Sequence, residues 1–147
     1  MATLDPQSLL ERAGTILHIS EIQRPSRQFG NQVSVRVLGR LVQFDPIDNL
    51  ALIEHRGASI AVDAALLGPF HHRIKALLQF IGEVERNWTP PETLSFQLGP
   101  GAHHPILRAR IARNVDGLDV PLYEQALEIR RRLDIKRAAQ EVWNRQQ

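Results

Sequence analysis

Residues 33–44, read VSVRVLGRLVQF, put Val33, Val35 and Val37 on one face of an extended chain and Ser34, Arg36 and Leu38 on the other. That period of two is what a strand with one buried face requires. Gly39 interrupts it. A glycine inside so long a strand marks a bulge or coil, and a bent strand can serve both halves of a small barrel. Asp45-Pro46-Ile47-Asp48-Asn49 then turns the chain, and 50–55 and 58–63 form a hairpin about Arg56-Gly57. Three consecutive antiparallel strands follow from these signals.

Ala64–Phe70 is apolar, is broken by Gly68-Pro69, and suits a helical turn that plugs one barrel end. Ile74–Glu85 reads as a fourth strand. Six prolines and glycines between 86 and 105 forbid a continuous ladder there and define a loop of about 20 residues, long enough for a binding role. The fifth strand is Ile106–Val115, with Leu107, Ala109 and Ile111 facing one way and Arg108, Arg110 and Ala112 the other. Upstream, 6–13 is expected as a short helix, 15–19 as extended chain and 23–32 as a loop. Downstream, Pro121 opens a helix to about Arg145, with Asp119 placed to cap it. The expectation is a mainly β protein: a five-stranded OB-fold barrel with a C-terminal α-helix. Residues 1–147 form one domain, with an N-terminal extension to about 22, a barrel over 33–115 and the helix over 120–145.

A chain of 147 residues that is 43% hydrophobic and 23% charged is long enough for one ordinary core. No cysteine is present, which excludes disulfides, thiolate metal sites and a cysteine nucleophile. The first residues, MATLDPQSLLERAG, hold no apolar run of signal-peptide length, and no span approaches the roughly 18 apolar residues a bilayer needs. Cytosol or nucleus is the expected compartment.

Catalysis finds no support. No nucleophile elbow, phosphate-binding glycine loop or paired-carboxylate spacing occurs, so the chain reads as a non-enzyme without cofactor. His71-His72 and His103-His104 are the one arrangement resembling metal chemistry. Neighbours on a strand point oppositely, and solvated loop histidines explain both pairs more simply.

Sixteen of the 18 basic residues are arginine, yet the net charge is only +2. Arg36 and Arg40 on the first strand and Arg108, Arg110 and Arg113 on the fifth are candidates to line one face and contact phosphates; solvated strand edges are the alternative. Only eight aromatic residues are available for stacking, with Trp88, in the long loop, the best placed. Weak or auxiliary contact with single-stranded nucleic acid is the expectation.

At about 100° per residue, Leu122, Ala126, Ile129 and Leu133 form one stripe of the helix. Leu127, Ile135, Ala138, Ala139 and Val142 form another, roughly opposite. One barrel covers one stripe, so the second is expected to meet a partner's helix. Which stripe faces outward is left open.

VRVLGRLVQFDP (35–46), LLGPFHHRIKALLQFIGEVE (66–85) and LRARIARNVDGLDVPLYEQALEIRRRL (107–133) together resemble the smallest-subunit family of the telomere-capping CST complex, the Ten-one family. The similarity runs in order from about Gly14-Thr15 to Leu133. Its most specific parts are Pro69–His71 with a following strand that ends in Gly-Glu, and the run from Val115 through Pro121-Leu122 to Glu124-Gln125-Ala126. Two departures stand out: the 86–105 loop is expanded, and the helix continues past Leu133.

The resemblance implies an OB fold that pairs with the OB domain of a Stn-one-like protein. With the large CST subunit, the heterodimer binds and protects single-stranded telomeric DNA in the nucleus and assists DNA polymerase α–primase in fill-in synthesis. It further implies Leu122, Tyr123, Ala126, Leu127, Ile129, Arg130 and Leu133 as partner-facing positions, and Arg36 as a contact to DNA or to the interface. A small OB subunit of another single-stranded-DNA-binding complex, such as replication protein A, is the alternative, since fold alone does not fix function.

Overall fold

The computed structural model describes residues 15–23 and 34–147. The expected helix at 6–13 and most of the 23–32 loop lie outside them. The elements are β1 (Thr15–Leu17), α1 (Ile19–Gln23), β2 (Ser34–Asp45), β3 (Leu50–His55), β4 (Ala58–Asp63), a 3-10 turn (Ala65–Leu67), β5 (Leu77–Trp88), β6 (His104–Asn114) and α2 (Val120–Arg145).

Strands β2, β3, β4, β6 and β5 neighbour one another in that order, and β5 returns to β2 to close a five-stranded barrel. All pairs are antiparallel except β4 with β6. That is the expected OB arrangement. The short β1 adds a parallel edge to β2, with Thr15 opposite Val35 and Leu17 opposite Val37.

β2 serves both halves of the barrel, and Arg40 is its hinge, opposite Leu77 of β5 on one side and Glu54 of β3 on the other. The register shift comes at Val42, between Leu41 and Gln43, and not at Gly39. Gly39 has a different duty. A β-carbon there would sit 3.0 Å from the Ile53 side chain, so the bare backbone lets the strands cross closely.

Inside the barrel, Val35, Val37, Leu41, Ile53, Ile60, Val62, Leu78, Phe80 and Leu107 are all but inaccessible to solvent. Both ends are stoppered. At the hairpin end, Ile19 and Ile22 of α1, one turn apart, enter the core, and the Gln23 amide bonds the Ser59 carbonyl. At the other end Phe70, just after the 3-10 turn, stacks on Phe44 with ring centroids 4.5 Å apart, as the plug reading of this segment anticipated.

β6 departs from the expected alternation. Its partner register steps from Ala109 opposite Gly82 to Ile111 opposite Ile81, leaving Arg110 bulged. Past the bulge the faces exchange: Ala112 packs on the core and Ile111 is 53% exposed. Gly82 makes the bulge possible, because a β-carbon there would lie 2.1 Å from the Arg108 carbonyl oxygen.

A second apolar cluster lies outside the barrel. Leu50 and Leu52 of β3, Ala61 of β4 and Ile106 of β6 alternate with the core residues and so point outward. The loop 89–103 folds back over them and seats Phe96 on the cluster, with Leu94, Leu98 and Trp88 packed around it. Trp88 is therefore not a loop residue offered for stacking: it ends β5, opposite His104. Asp45, buried at the end of β2, accepts from the Ile47 and Asp48 amides on one side and from the Ser95 amide, at 2.9 Å, on the other. The Ser95 amide foremost, with those of Asp48 and Ile47, holds the Asp45 carboxyl below the usual range. Thr93 donates to Asp48 at 2.9 Å.

Candidate partner and nucleic-acid interfaces

Helix α2 begins as the sequence indicated, with the Asp119 carboxylate accepting from the Leu122 amide at 3.1 Å and Pro121 in the first turn. Its helical phase is set by polar anchors. Glu124 takes the His55 ring nitrogen at 2.9 Å and also pairs with Arg56, tying the helix to the β3–β4 hairpin. One turn and three residues on, Arg131 donates to the Ile16 carbonyl at 2.7 Å and to Glu21 at 2.8 Å, tying it to β1 and α1. The Glu21 carboxylate in turn accepts from the His18 amide at 3.0 Å, and the His18 ring stacks on His55. Burial holds the His18 imidazole below its ordinary value; Glu21 opposes this, while Arg131, Arg56 and His55 add to it.

Those anchors turn Tyr123, Leu127, Arg131 and Ala138 inward. Leu127 is 6% and Ala138 7% exposed, and Ile135 and Val142 are half-buried. The opposite stripe faces away: Leu122 is 60%, Ile129 58% and Leu133 49% exposed, with Ala126 between them. The choice the periodicity left open is thereby made. Two of the seven expected partner-facing residues lie away from the exposed row in the free chain. Leu127 lies on the inner stripe, and Tyr123 is half-buried beside it, because 100° per residue carries them about a third of a turn from the outward row. The Tyr123 hydroxyl is buried without a hydrogen bond of good geometry. Burial pushes its phenol up, against the Gln79 side chain and the Arg131, Arg36 and Arg130 guanidiniums.

Ala126, Ile129, Arg130, Leu133, Asp134 and Arg137 line a shallow groove along the outward face. Arg130 stands 3.8 Å from Asp134 one turn on, so the groove carries charge along its edge and hydrocarbon at its centre.

The five arginines separate into different situations. Arg108 bridges Asp63 at 2.6 Å and Glu85 at 2.7 Å. Partial burial lowers its pKa, but the bonds to Glu85 and Asp63 outweigh that and raise it. It is a structural clamp between β4, β5 and β6, and a phosphate would have to displace two carboxylates. Arg110, at the bulge, pairs with Glu83 at 2.9 Å, and Arg40 donates to the Lys75 carbonyl at 3.1 Å. Arg113 reaches Gln79, and Arg36 forms no ion pair with a described residue. Arg36, Ile81 and Ile111 share one rung of the β2–β5–β6 outer surface, and Gln79 with Arg113 the next. By register Arg36 and Arg113 lie on one face of the barrel, and Arg108, on the neighbouring rung with Ser34 and Glu83, is engaged by its two carboxylates.

Among the histidines, His72 meets the Phe70 ring edge-on, His103 pairs with Thr89, and His104 with the Gly101 carbonyl. No group of three potential metal ligands occurs among the described residues.

A closed OB barrel with a long C-terminal helix, one face of which is apolar and uncovered, defines the class: a small OB-fold protein carrying a helical appendage. The sequence profile of the telomere-capping CST complex subunit family matches residues 10–137, and the chain belongs to that family. The CST complex subunit TEN1 of Arabidopsis thaliana is 28% identical over 118 residues, covering 80% of this chain and 84% of that protein. In fold, a chain of the S. pombe Stn1–Ten1 complex superposes with a TM-score of 0.60 at 14% identity, over 82% of this chain and 93% of that one. S. pombe Ten1 alone superposes with a TM-score of 0.59 at 14% identity, over 82% and 99%.

Proposed function

We propose that the chain is the non-catalytic small subunit of a CST-type complex and that it pairs with a Stn-one-like OB protein through the outward stripe of α2. The observation that carries this reading is the row Leu122, Ala126, Ile129 and Leu133, held away from the chain's own barrel by the Glu124 and Arg131 anchors. Exposed hydrocarbon arranged at helical spacing favours association with another apolar helix. Family membership supplies the class of assembly, and the S. pombe complex of the same fold contains Stn1 and Ten1.

In this reading the heterodimer joins the large CST subunit, holds and protects single-stranded telomeric DNA, and supports DNA polymerase α–primase fill-in at chromosome ends in the nucleus. The chain's own share in DNA contact is small. Arg36, Arg113 and, by exchange with Glu83, Arg110 offer a few phosphate contacts, and Arg40 lies at the hinge.

Co-expression with a Stn-one-like OB protein, and in parallel with the large subunit of replication protein A, tests the assignment. Stable co-elution with the first alone is expected. Co-elution with the second alone would transfer the chain to the other complex.

A further inference from the structure

OB barrels bind oligonucleotides on the outer face of their second and third strands, between the loop joining strands one and two and the loop joining strands four and five. Here those elements are β3, β4, the turn 46–49 and the loop 89–103. The face they frame is already filled. Leu50, Leu52, Ala61 and Ile106 form its floor, and Phe96, only 5% exposed, occupies the middle of it.

The two loops that would grip a strand grip each other instead. Asp45, 1% exposed, joins the turn's amides to the Ser95 amide, and Thr93 closes on Asp48. The base of the loop is drawn together by Thr89 with His103, and Leu94 donates to the Pro91 carbonyl at 3.1 Å to form an internal turn. The chemistry of the floor also disfavours a polyanion: its side chains are hydrocarbon, and Arg108 beside it is neutralised by Asp63 and Glu85. An opening of the loop would expose Leu50, Leu52 and Ile106 together, against the hydrophobic effect.

We propose that residues 89–103 are an intramolecular cover that closes the barrel's oligonucleotide face. Closure follows from the barrel and its loop and stands whether or not the telomeric reading holds. The loop's length, which as sequence invites a binding role, serves to exclude a ligand.

Hydrogen exchange on the full chain, with and without a G-rich single-stranded DNA oligonucleotide, tests this. Amides of 50–52, 60–62 and 93–98 should exchange slowly in the native protein. Phe96→Ala should accelerate 93–98 by about tenfold or more while 35–37 and 78–80 keep their protection, the signature of a local opening. Added oligonucleotide should leave 50–52, 60–62 and 93–98 unchanged in the native chain, whether or not it binds elsewhere. Thr93→Val, which removes one exposed hydrogen bond, gives a milder opening if Phe96→Ala disturbs folding. Native 93–98 exchanging as fast as in the variants would overturn the proposal, as would oligonucleotide-dependent protection on β3, β4 or the loop.

Discussion

The carboxylate of Asp45 accepts the Ser95 backbone N–H at 2.9 Å, joining the end of β2 to a loop fifty residues further along the chain. Because this bond favours the charged form, the Asp45 pKa falls below its usual value near 3.8. A carboxyl depressed in the folded state contributes stability above its unfolded pKa and loses it as pH falls through the folded one. Asp45→Asn removes that contribution and sets an amide N–H against the Ser95 donor. Exchange at Ser95 should rise by about tenfold or more at neutral pH, and loosening of the loop below about pH 4 should flatten. An unchanged acid profile would refute the latch.

Gly82→Ala should be severe. The added carbon would collide with the Arg108 carbonyl at the β6 bulge, where backbone on both sides leaves no side chain to yield. A loss of about 3 kcal/mol or more is expected, at or above the upper end of ordinary overpacking. Thermal or urea unfolding measures it. A change within about 0.5 kcal/mol, the usual range for an exposed site, would mean the bulge is not held as described.

His18 makes the attachment of α2 sensitive to mild acid. Its folded pKa is lowered, so the unfolded chain takes up the proton first as pH falls below about 6.5. Stability is complete above that value and declines towards the folded pKa. Glu21, Arg131, Arg56 and His55 face the ring, and Glu124 holds His55. His18→Gln should reduce the slope of stability between pH 7 and pH 5 in urea titrations. An unaltered slope would place the titration elsewhere.

The order of strands was legible in the sequence because turns and glycines punctuate it: the hairpin about Arg56-Gly57 falls on the residues the pattern marked, with positive φ at both. The α2 cap at Asp119 was equally plain. Three features were not. The bulge at Arg110 exchanges the faces of Ile111 and Ala112, and the requirement for it resides in Gly82 on the neighbouring strand. The loop 89–103 looked open because Leu94, Phe96 and Leu98 sit among prolines and glycines, and their cover over Leu50 and Leu52 is a long-range contact. The outward stripe of α2 could not be chosen from periodicity, since both stripes are apolar; Glu124 and Arg131 choose it through His55 and Glu21.

Arg36 and Arg108 should respond differently to substitution. In the assembled complex, Arg36→Glu is expected to lower affinity for single-stranded DNA modestly and to reduce the salt slope by about one, without altering sequence preference. Arg108→Ala should instead reduce stability, since Asp63 and Glu85 lose their shared partner, and should leave the salt slope alone. Fluorescence anisotropy across a salt series separates the two. Equal effects on the slope would mean that Arg108 reaches the DNA after all.

The central claim is that the outward stripe of α2 is the docking surface for a Stn-one-like OB partner. Light scattering on the co-expressed pair, with the chain carrying Ile129→Asp or Leu133→Asp, tests it most directly. Both residues are exposed in the free chain, so each variant should keep the native circular dichroism spectrum and thermal midpoint. Burying an unpaired carboxylate at an interface costs several kcal/mol, enough to separate the pair. The account predicts a one-to-one complex for the native chain and separate species for both variants. A complex of undiminished mass and stability with either variant would contradict it.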